Sequence, residues 1–262
     1  MKTNSSHINP NRIAILGAGE SGVGTAILAK AKGYDVFVSD FGEVKENYVA
    51  VLSENKIDWE QGGHDDEKIM NATIVMKSPG IPDKAPIVQK LKQAQIKIVS
   101  EIEFAAQYTD ATIIGITGSN GKTTTTTLCY EILRNEGCNV GLGGNIGQSF
   151  AYQVATTDRD YYVLELSSFQ LDDCITFRPN VAVLMNITPD HLDRYEYKLE
   201  NYVASKFSIT KNQTADDLFI YCADDRTIQE YINTNKINAQ MLPFSIESEV
   251  TEGGFATDEQ LT

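Results

Sequence analysis

Long apolar runs are missing from this chain: no stretch approaches the ~18 consecutive apolar residues of a membrane-spanning helix. The opening residues, Met1 to Arg12, are polar and lack the apolar block of a signal peptide, so the expectation is a cytoplasmic protein with no membrane partner. Cysteine is sparse. The four present, Cys129, Cys138, Cys174 and Cys222, form no C-x-x-C pair, which argues against a zinc knuckle or a disulfide framework and predicts reduced, mostly buried thiols. Basic residues are outnumbered, 22 Lys and Arg against 36 Asp and Glu, and a formal net charge of -14 argues against a general nucleic-acid binder. Any phosphate ligand has to be held locally, by backbone N–H groups at helix starts, single lysines or metal ions. Solenoid-period repeats and low-complexity tracts are absent too, apart from the threonine run Thr123 to Thr127.

What is present is a chain of 262 residues and 42% hydrophobic content, long enough for two domains with their own cores. Apolar runs of strand length alternate with helical text. Arg12–Leu16, a helix from about Gly22 to Lys32 and Val36–Asp40 make a β-α-β opening. Strands at Thr73–Lys77 and Ile96–Ser100 flank a helix over Ala85–Gln95. After a short helical stretch, Glu101–Tyr108, the alternation restarts with strands at Thr112–Thr117, Tyr161–Leu166, Val181–Ile187, Leu218–Cys222 and Gln240–Phe244, and with helices such as Leu199–Thr210. The pattern predicts an α/β fold with mostly parallel sheets covered on both faces. The boundary is placed near Ser100, giving domains 1–100 and 101–262. The acidic end, Glu247 to Thr262, carries no closing helix, so the second domain is read as truncated.

Two glycine loops follow strands and open helices. The first, Gly17 to Gly24 (GAGESGVG), fits G-x-G-x-x-G through Gly17, Gly19 and Gly22, with Asp40 ending the next strand. Missing side chains there let backbone N–H groups approach a diphosphate; the plain alternative is a structural glycine turn. The second, Gly115 to Thr124 (GITGSNGKTT), places a lysine where it reaches β- and γ-phosphates and a hydroxyl where it ligates magnesium. Its spacing departs from a strict P-loop, because Ile116 stands at the expected glycine position. The plain alternative is a polar strand-to-helix turn, and five threonines favour strand. Three more segments put polar residues at strand ends: GGNIG with Asn145, ELSSFQLD with Glu165, Ser167 and Gln170, and NITPDHLDRY with Asp190 and His191. Glu165 as a lysine partner and His191 as a helix cap are the plain alternatives, and magnesium prefers oxygen to a lone histidine.

GxGxSGxG, Ser78-Pro79-Gly80, TGSNGKTT, GNIG, ELSSFQL, TPDHLDRY and the lysine of YVASKFS together resemble the Mur ligase family, in its D-glutamate-adding branch, from Ile13 to about Asp225. The resemblance implies a Rossmann-like domain that binds the UDP part of UDP-N-acetylmuramoyl-L-alanine, then a P-loop-type ATP-binding domain. It implies an ATP-dependent amide-bond ligase of peptidoglycan precursor synthesis working through an acyl phosphate. Gly19, Ser21, Asp40 and Gly80 are implied near UDP, and Ser78, Asn145, Ser167, Gln170 and His191 at the substrate. Gly118, Ser119, Asn120, Gly121, Lys122, Thr123 and Thr124 are implied at ATP. Thr123 and Glu165 would bind one Mg2+, and His191 and Lys206 a second, with Lys206 carbamylated; Lys122, Glu165, His191 and Lys206 form the catalytic set. The family's third domain, which largely holds D-glutamate, has no counterpart here, so this chain alone is expected to be inactive, and to be a monomer. Two rivals stand beside this reading: an NAD-dependent oxidoreductase, resting on the first loop alone, and a nucleotide-binding module without catalysis.

Overall fold

The computed structural model describes residues 11–256. The final residues of the acidic end, 257–262, and most of the polar opening segment lie outside them. The described residues form two all-parallel sheets, as the alternation predicts. The residues cluster into two units that are not contiguous in sequence. The first runs through Thr109 and adds Gln148–Asp158 and Asp173–Ile175. The second holds Asp110–Gly147, Arg159–Asp172 and the chain from Thr176 onward.

In the first unit the sheet order is β3-β2-β1-β4-β5. Its strands are β1 (Arg12–Leu16), β2 (Asp35–Asp40), β3 (Asp58–Gln61), β4 (Ile74–Lys77) and β5 (Lys97–Val99). Chain direction from β1 goes one way to β2 and the other way to β4, so a crevice opens at their carboxyl ends, where such sheets place ligands. Helix α1 (Glu20–Ala31) follows β1, and α2 (Glu46–Glu54) and α3 (Asp66–Met70) follow β2 and β3. Helix α4 (Pro86–Gln93) starts on a proline, whose fixed φ suits the first helical position, and buries Ile87, Val88 and Leu91. Those three pack with Ala14, Leu16, Phe37 and Val75 of the sheet. Helix α1 buries Gly22, Val23, Gly24, Thr25, Ala26, Leu28 and Ala29 because it is covered on two sides. One side is the sheet; the other is α7 (Phe150–Thr156), with α5 (Glu101–Ala106) beside it. A Cβ on Gly24 would lie 1.9 Å from Ser149 Oγ, so glycine is what permits that approach.

The second unit has the order β12-β11-β10-β9-β6-β8-β7. Its strands are β6 (Thr112–Thr117), β7 (Val140–Gly144), β8 (Tyr161–Glu165), β9 (Val181–Leu184), β10 (Leu218–Cys222), β11 (Gln240–Ser245) and the short β12 (Gly254–Phe255). Helix α6 (Lys122–Asn135) follows β6, α8 (Ser168–Asp172) follows β8, and α9 (Leu199–Phe207) and α10 (Arg226–Thr234) follow β9 and β10. Ile116, Val140, Val163 and Val183 form a core across four adjacent strands. Strand β9 is shorter than the apolar run Val181–Ile187 suggests. Past Leu184 the backbone turns to the loop after β6, where Asn186 O accepts from Ser119 N at 3.0 Å. The four thiols are free but only half-buried, a correction to the expected burial. No helix among the described residues is long and apolar enough to cross a membrane.

Candidate functional site

At the carboxyl end of the first sheet, Gly17 has φ +94, and a Cβ there would sit 2.6 Å from Ser78 Oγ. A Cβ on Gly22 would sit 1.8 Å from Gly17 O, so the turn closes only with glycine at that position. Gly19 differs: a Cβ there would meet nothing within 4 Å, and it opens α1 with no side-chain cap for the helix-start N–H groups. The Asp40 carboxylate is already engaged, Oδ2 accepting from Ala18 N at 2.7 Å and Oδ1 from Gly42 N at 2.8 Å. Glu20, within the loop, is exposed and accepts from Tyr48 Oη at 2.9 Å and Ser149 N at 3.2 Å.

A cavity of about 580 Å³ opens here, lined by Gly17, Asp40 and Gly80 together with Phe41, His64 and Lys90. The last three were not singled out from sequence. Phe41 is 76% exposed although large and apolar, and its ring lies 5.8 Å from that of His64. The available signal was position, since Phe41 directly follows the strand end at Asp40.

In the second unit the loop after β6 is Gly118–Gly121. Ile116, at the expected glycine position, is a core residue of β6, and Gly115 is a packing glycine whose Cβ would meet Leu166 Cδ1 at 3.1 Å. The strand therefore runs further than a strict P-loop pattern allows, and the turn is made by Gly118 (φ +151) and Gly121 (φ +81). The loop is held from the segment after β9. Asn186 Oδ1 accepts from Asn120 N at 2.8 Å, Ser119 Oγ donates to Thr188 O at 3.0 Å, and Tyr202 Oη lies 3.1 Å from Ser119 Oγ. Helix α6 starts at Lys122 behind an αL glycine with no side-chain cap, so its first N–H groups and the helix dipole are directed at the loop.

Two ammonium groups meet at this loop. Lys122 Nζ donates to Gly118 O and Ser119 O, both at 2.9 Å, and Lys206 Nζ, from α9, donates to Gly118 O at 2.8 Å. Lys206 is 2% exposed, and burial, with the Lys122 charge next, lowers its pKa to about 7. Neutral carbonyls hold both cations, an arrangement that leaves their charge available to an anion. Beside them Thr123 Oγ1 donates to Glu165 Oε2 at 2.7 Å, and Asn145 Nδ2 to Glu165 Oε1 at 2.9 Å. Glu165 is 1% exposed at the end of β8, and a Cβ on Gly144 would lie 2.1 Å from its carbonyl, so β7 and β8 close tightly here. A buried carboxylate bonded only by these neutral donors, next to a hydroxyl, is an all-oxygen set that fits a magnesium ion.

Other residues singled out from sequence lie elsewhere or are used locally. Ser167 Oγ accepts from Gln170 N at 3.3 Å, and Gln170 Oε1 accepts from Ser167 N at 3.0 Å, a reciprocal cap at the start of α8. His191 is 55% exposed with φ +49, and its side chain meets Asp190 (Nε2 to Oδ2, 3.5 Å) and the Phe169 ring at 5.2 Å. Arg194 covers the same Phe169 ring at 4.4 Å, so this aromatic ties ELSSFQLD to DHLDRY. Among the described residues no three His, Cys, Asp or Glu side chains converge as a metal cluster.

The model of the Mur ligase middle domain matches residues 116–260, and that of the Mur ligase MurD-like N-terminal domain matches residues 11–100. The chain belongs to the Mur ligase family. It is 56% identical over 250 residues to the UDP-N-acetylmuramoylalanine–D-glutamate ligase of Christiangramia forsetii, covering 95% of this chain and 56% of that relative. The Bacteroides fragilis ligase of the same name is 53% identical, with the same two coverages. This Mur ligase chain thus spans 56% of the length of these relatives. Among solved structures, the UDP-N-acetylmuramate:L-alanyl-gamma-D-glutamyl-meso-diaminopimelate ligase from Neisseria meningitides aligns with TM-score 0.64 and 19% identity, over 94% of this chain and 83% of that one. The UDP-N-acetylmuramate-alanine ligase of Thermotoga maritima aligns with TM-score 0.55 and 20% identity, over 90% and 53%. At these identities the likeness speaks for the Mur ligase fold.

Proposed function

We propose that this chain supplies the UDP-substrate and ATP sites of an ATP-dependent amide-bond ligase that adds D-glutamate to UDP-N-acetylmuramoyl-L-alanine, ADP and phosphate being released. The observation that carries the reading is the meeting of Lys122 and Lys206 on Gly118 O beside the Thr123–Glu165 pair. The names of the 56% and 53% identical relatives support it. In this reading residues 1–100 bind UDP and residues 101–262 bind ATP. Gly19, Ser21, Asp40, Ser78 and Gly80 face UDP, and the lining by Asp40, Phe41 and Gly80 of one cavity supports that placement. The D-glutamate site falls largely in the part of those relatives that this chain does not span. The protein works as a cytoplasmic monomer.

The L-alanine carboxylate attacks the γ-phosphorus of ATP, the β,γ-bridge bond breaks, and ADP leaves. The amine of D-glutamate then attacks the acyl phosphate and phosphate leaves. Two anions have to meet in line, so positioning and charge compensation dominate. Lys122, the Gly118–Thr124 N–H groups and the α6 dipole take up phosphate charge. Thr123 and Glu165 would hold one Mg2+; His191 and a carbamylated Lys206 would serve a second, with Asn145, Ser167 and Gln170 toward the substrate. Magnesium supplies Lewis-acid stabilisation of phosphoryl oxygens when bound. For His191, exposed beside Asp190, this role requires the ligand itself to draw the side chain in.

Calorimetry of the purified chain with UDP-N-acetylmuramoyl-L-alanine, Mg-ATP and NAD tests the assignment. Binding of the first two and not the third is expected, with background phosphate release in the presence of D-glutamate. Failure to bind either ATP or the UDP substrate sinks it, and binding without any D-glutamate-dependent turnover in the full-length protein would leave a nucleotide-binding module.

A further inference from the structure

Glu101, the first residue of α5, is 1% exposed in the first unit. Its Oε1 accepts from Ser149 Oγ at 2.5 Å and from Ala151 N at 3.0 Å. Its Oε2 is also buried and has no hydrogen-bond partner. An unpartnered buried carboxylate oxygen is costly; the same oxygen carrying a proton is a donor in need of an acceptor. Burial raises the Glu101 pKa; the Ser149 and Ala151 bonds and the neighbouring Ser21 hydroxyl oppose the rise, and the Glu20 charge adds to it. From the elements packed around it, α1 brings Glu20 at its first turn and Lys30 at its last, and α7 brings Tyr152 as its one titratable group. Strand β4 brings Lys77, held by Asp173 at 2.8 Å, and α5 itself brings Glu103, which accepts from Ile175 N at 3.0 Å. The Glu101 bonds described above thus come from uncharged donors.

We infer that Glu101 is a positioning residue for anion binding at the Gly17–Gly24 loop: in its neutral form Oε2 donates to the Ser21 hydroxyl, which frees that hydroxyl's own proton for a diphosphate oxygen. The inference rests on the assignment of this loop to the UDP diphosphate. A hydroxyl has one proton to give. With Glu101 ionised, Ser21 spends that proton on the carboxylate and presents lone pairs to the diphosphate, with a negative charge behind them. Diphosphate binding and Glu101 protonation are therefore linked, and affinity falls by up to about tenfold per pH unit once pH exceeds the Glu101 pKa of the free chain.

The test is calorimetry with UDP-N-acetylmuramoyl-L-alanine over a wide pH series in which the diphosphate diester keeps its charge, on the wild-type chain, Glu101→Gln and Ser21→Ala. The glutamine amide donates to Ser21 at every pH, so E101Q is expected to bind as the wild type does at the acidic end of the series and to lose the decline with rising pH. S21A is expected to bind more weakly with the same loss of slope. His64 lines the cavity in all three proteins alike and so does not distinguish them. A decline in E101Q equal to that of the wild type overturns the inference. Should E101Q not fold, a wild-type slope retained in S21A overturns it equally. No binding by the wild type at any pH overturns the loop assignment itself, a result distinct from binding with an unaltered slope.

Discussion

Lys122 and Lys206, on helices α6 and α9, share one acceptor, the Gly118 carbonyl oxygen, at 2.9 and 2.8 Å. Two like charges on one oxygen are tolerable when one ammonium loses its proton or when an anion joins them. For Lys122 the expected consequence is direct. Lys122→Ala should weaken ATP binding about ten- to hundredfold, the worth of a charge-assisted hydrogen bond, and leave UDP-substrate binding unchanged. Calorimetry with each ligand reads both; unchanged ATP affinity would remove the P-loop assignment.

Lys206 is the partner that gives way. Its pKa is lowered to about 7 by burial first and the Lys122 charge second, so a large share is the neutral amine at pH 7, whereas an ordinary lysine at ~10.4 stays charged. Only a neutral amine attacks carbon dioxide, forming a carbamate and releasing a proton. In isotopically labelled bicarbonate a carbamate carbon resonance is expected that Lys206→Arg lacks and that fades as pH falls below 7. A resonance of equal size in the arginine variant would refute the assignment.

The two loop glycines should respond in opposite ways. Gly22→Ala would place a Cβ 1.8 Å from the Gly17 carbonyl oxygen, which is backbone and cannot swing aside, so a loss of about 1–3 kcal/mol or more is expected. Gly19 has nothing within 4 Å and an extended φ of -85, so Gly19→Val should melt close to the wild type while losing tenfold or more in UDP-substrate affinity. Thermal unfolding by circular dichroism with calorimetry separates these outcomes. Tight retention of the ligand by Gly19→Val would move the site elsewhere.

Glu165→Gln keeps the shape of the side chain and removes its charge; the amide oxygen can still accept from Asn145 Nδ2, while the amide N–H has to donate to Thr123 Oγ1 instead of accepting from it. The gain in ATP affinity on adding magnesium is expected to drop about tenfold or more, with affinity in chelator unchanged. An undiminished magnesium effect would place the ion on other residues.

Much of the architecture was readable because apolar strands and glycine turns are local signals. β1, β6 and β10 fall where their apolar runs predict, and Gly17–Gly22 and Gly118–Lys122 sit at strand-to-helix turns. Propensity alone points the wrong way at the run Thr123–Thr127, which lies within α6: the loop sets the helix start, and of the five threonines only Thr126 is buried.

By itself the sequence determined which residues carry chemistry and that they stand at strand ends, because motif spacing and continuous apolar runs are properties of neighbouring residues. Tertiary structure alone decided their company. The order β9-β6-β8-β7 brings Gly118, Glu165 and Asn145 side by side, and α9 delivers Lys206 to a carbonyl far from it in sequence. It also decided that Ser149 and Ala151 bury Glu101 against α1, that Phe41 and His64 join Asp40 at one cavity, and that His191 faces Asp190 and solvent. Each of these depends on which strands neighbour one another and how loops close. Parallel sheets fix those relations through long crossovers that no local pattern encodes.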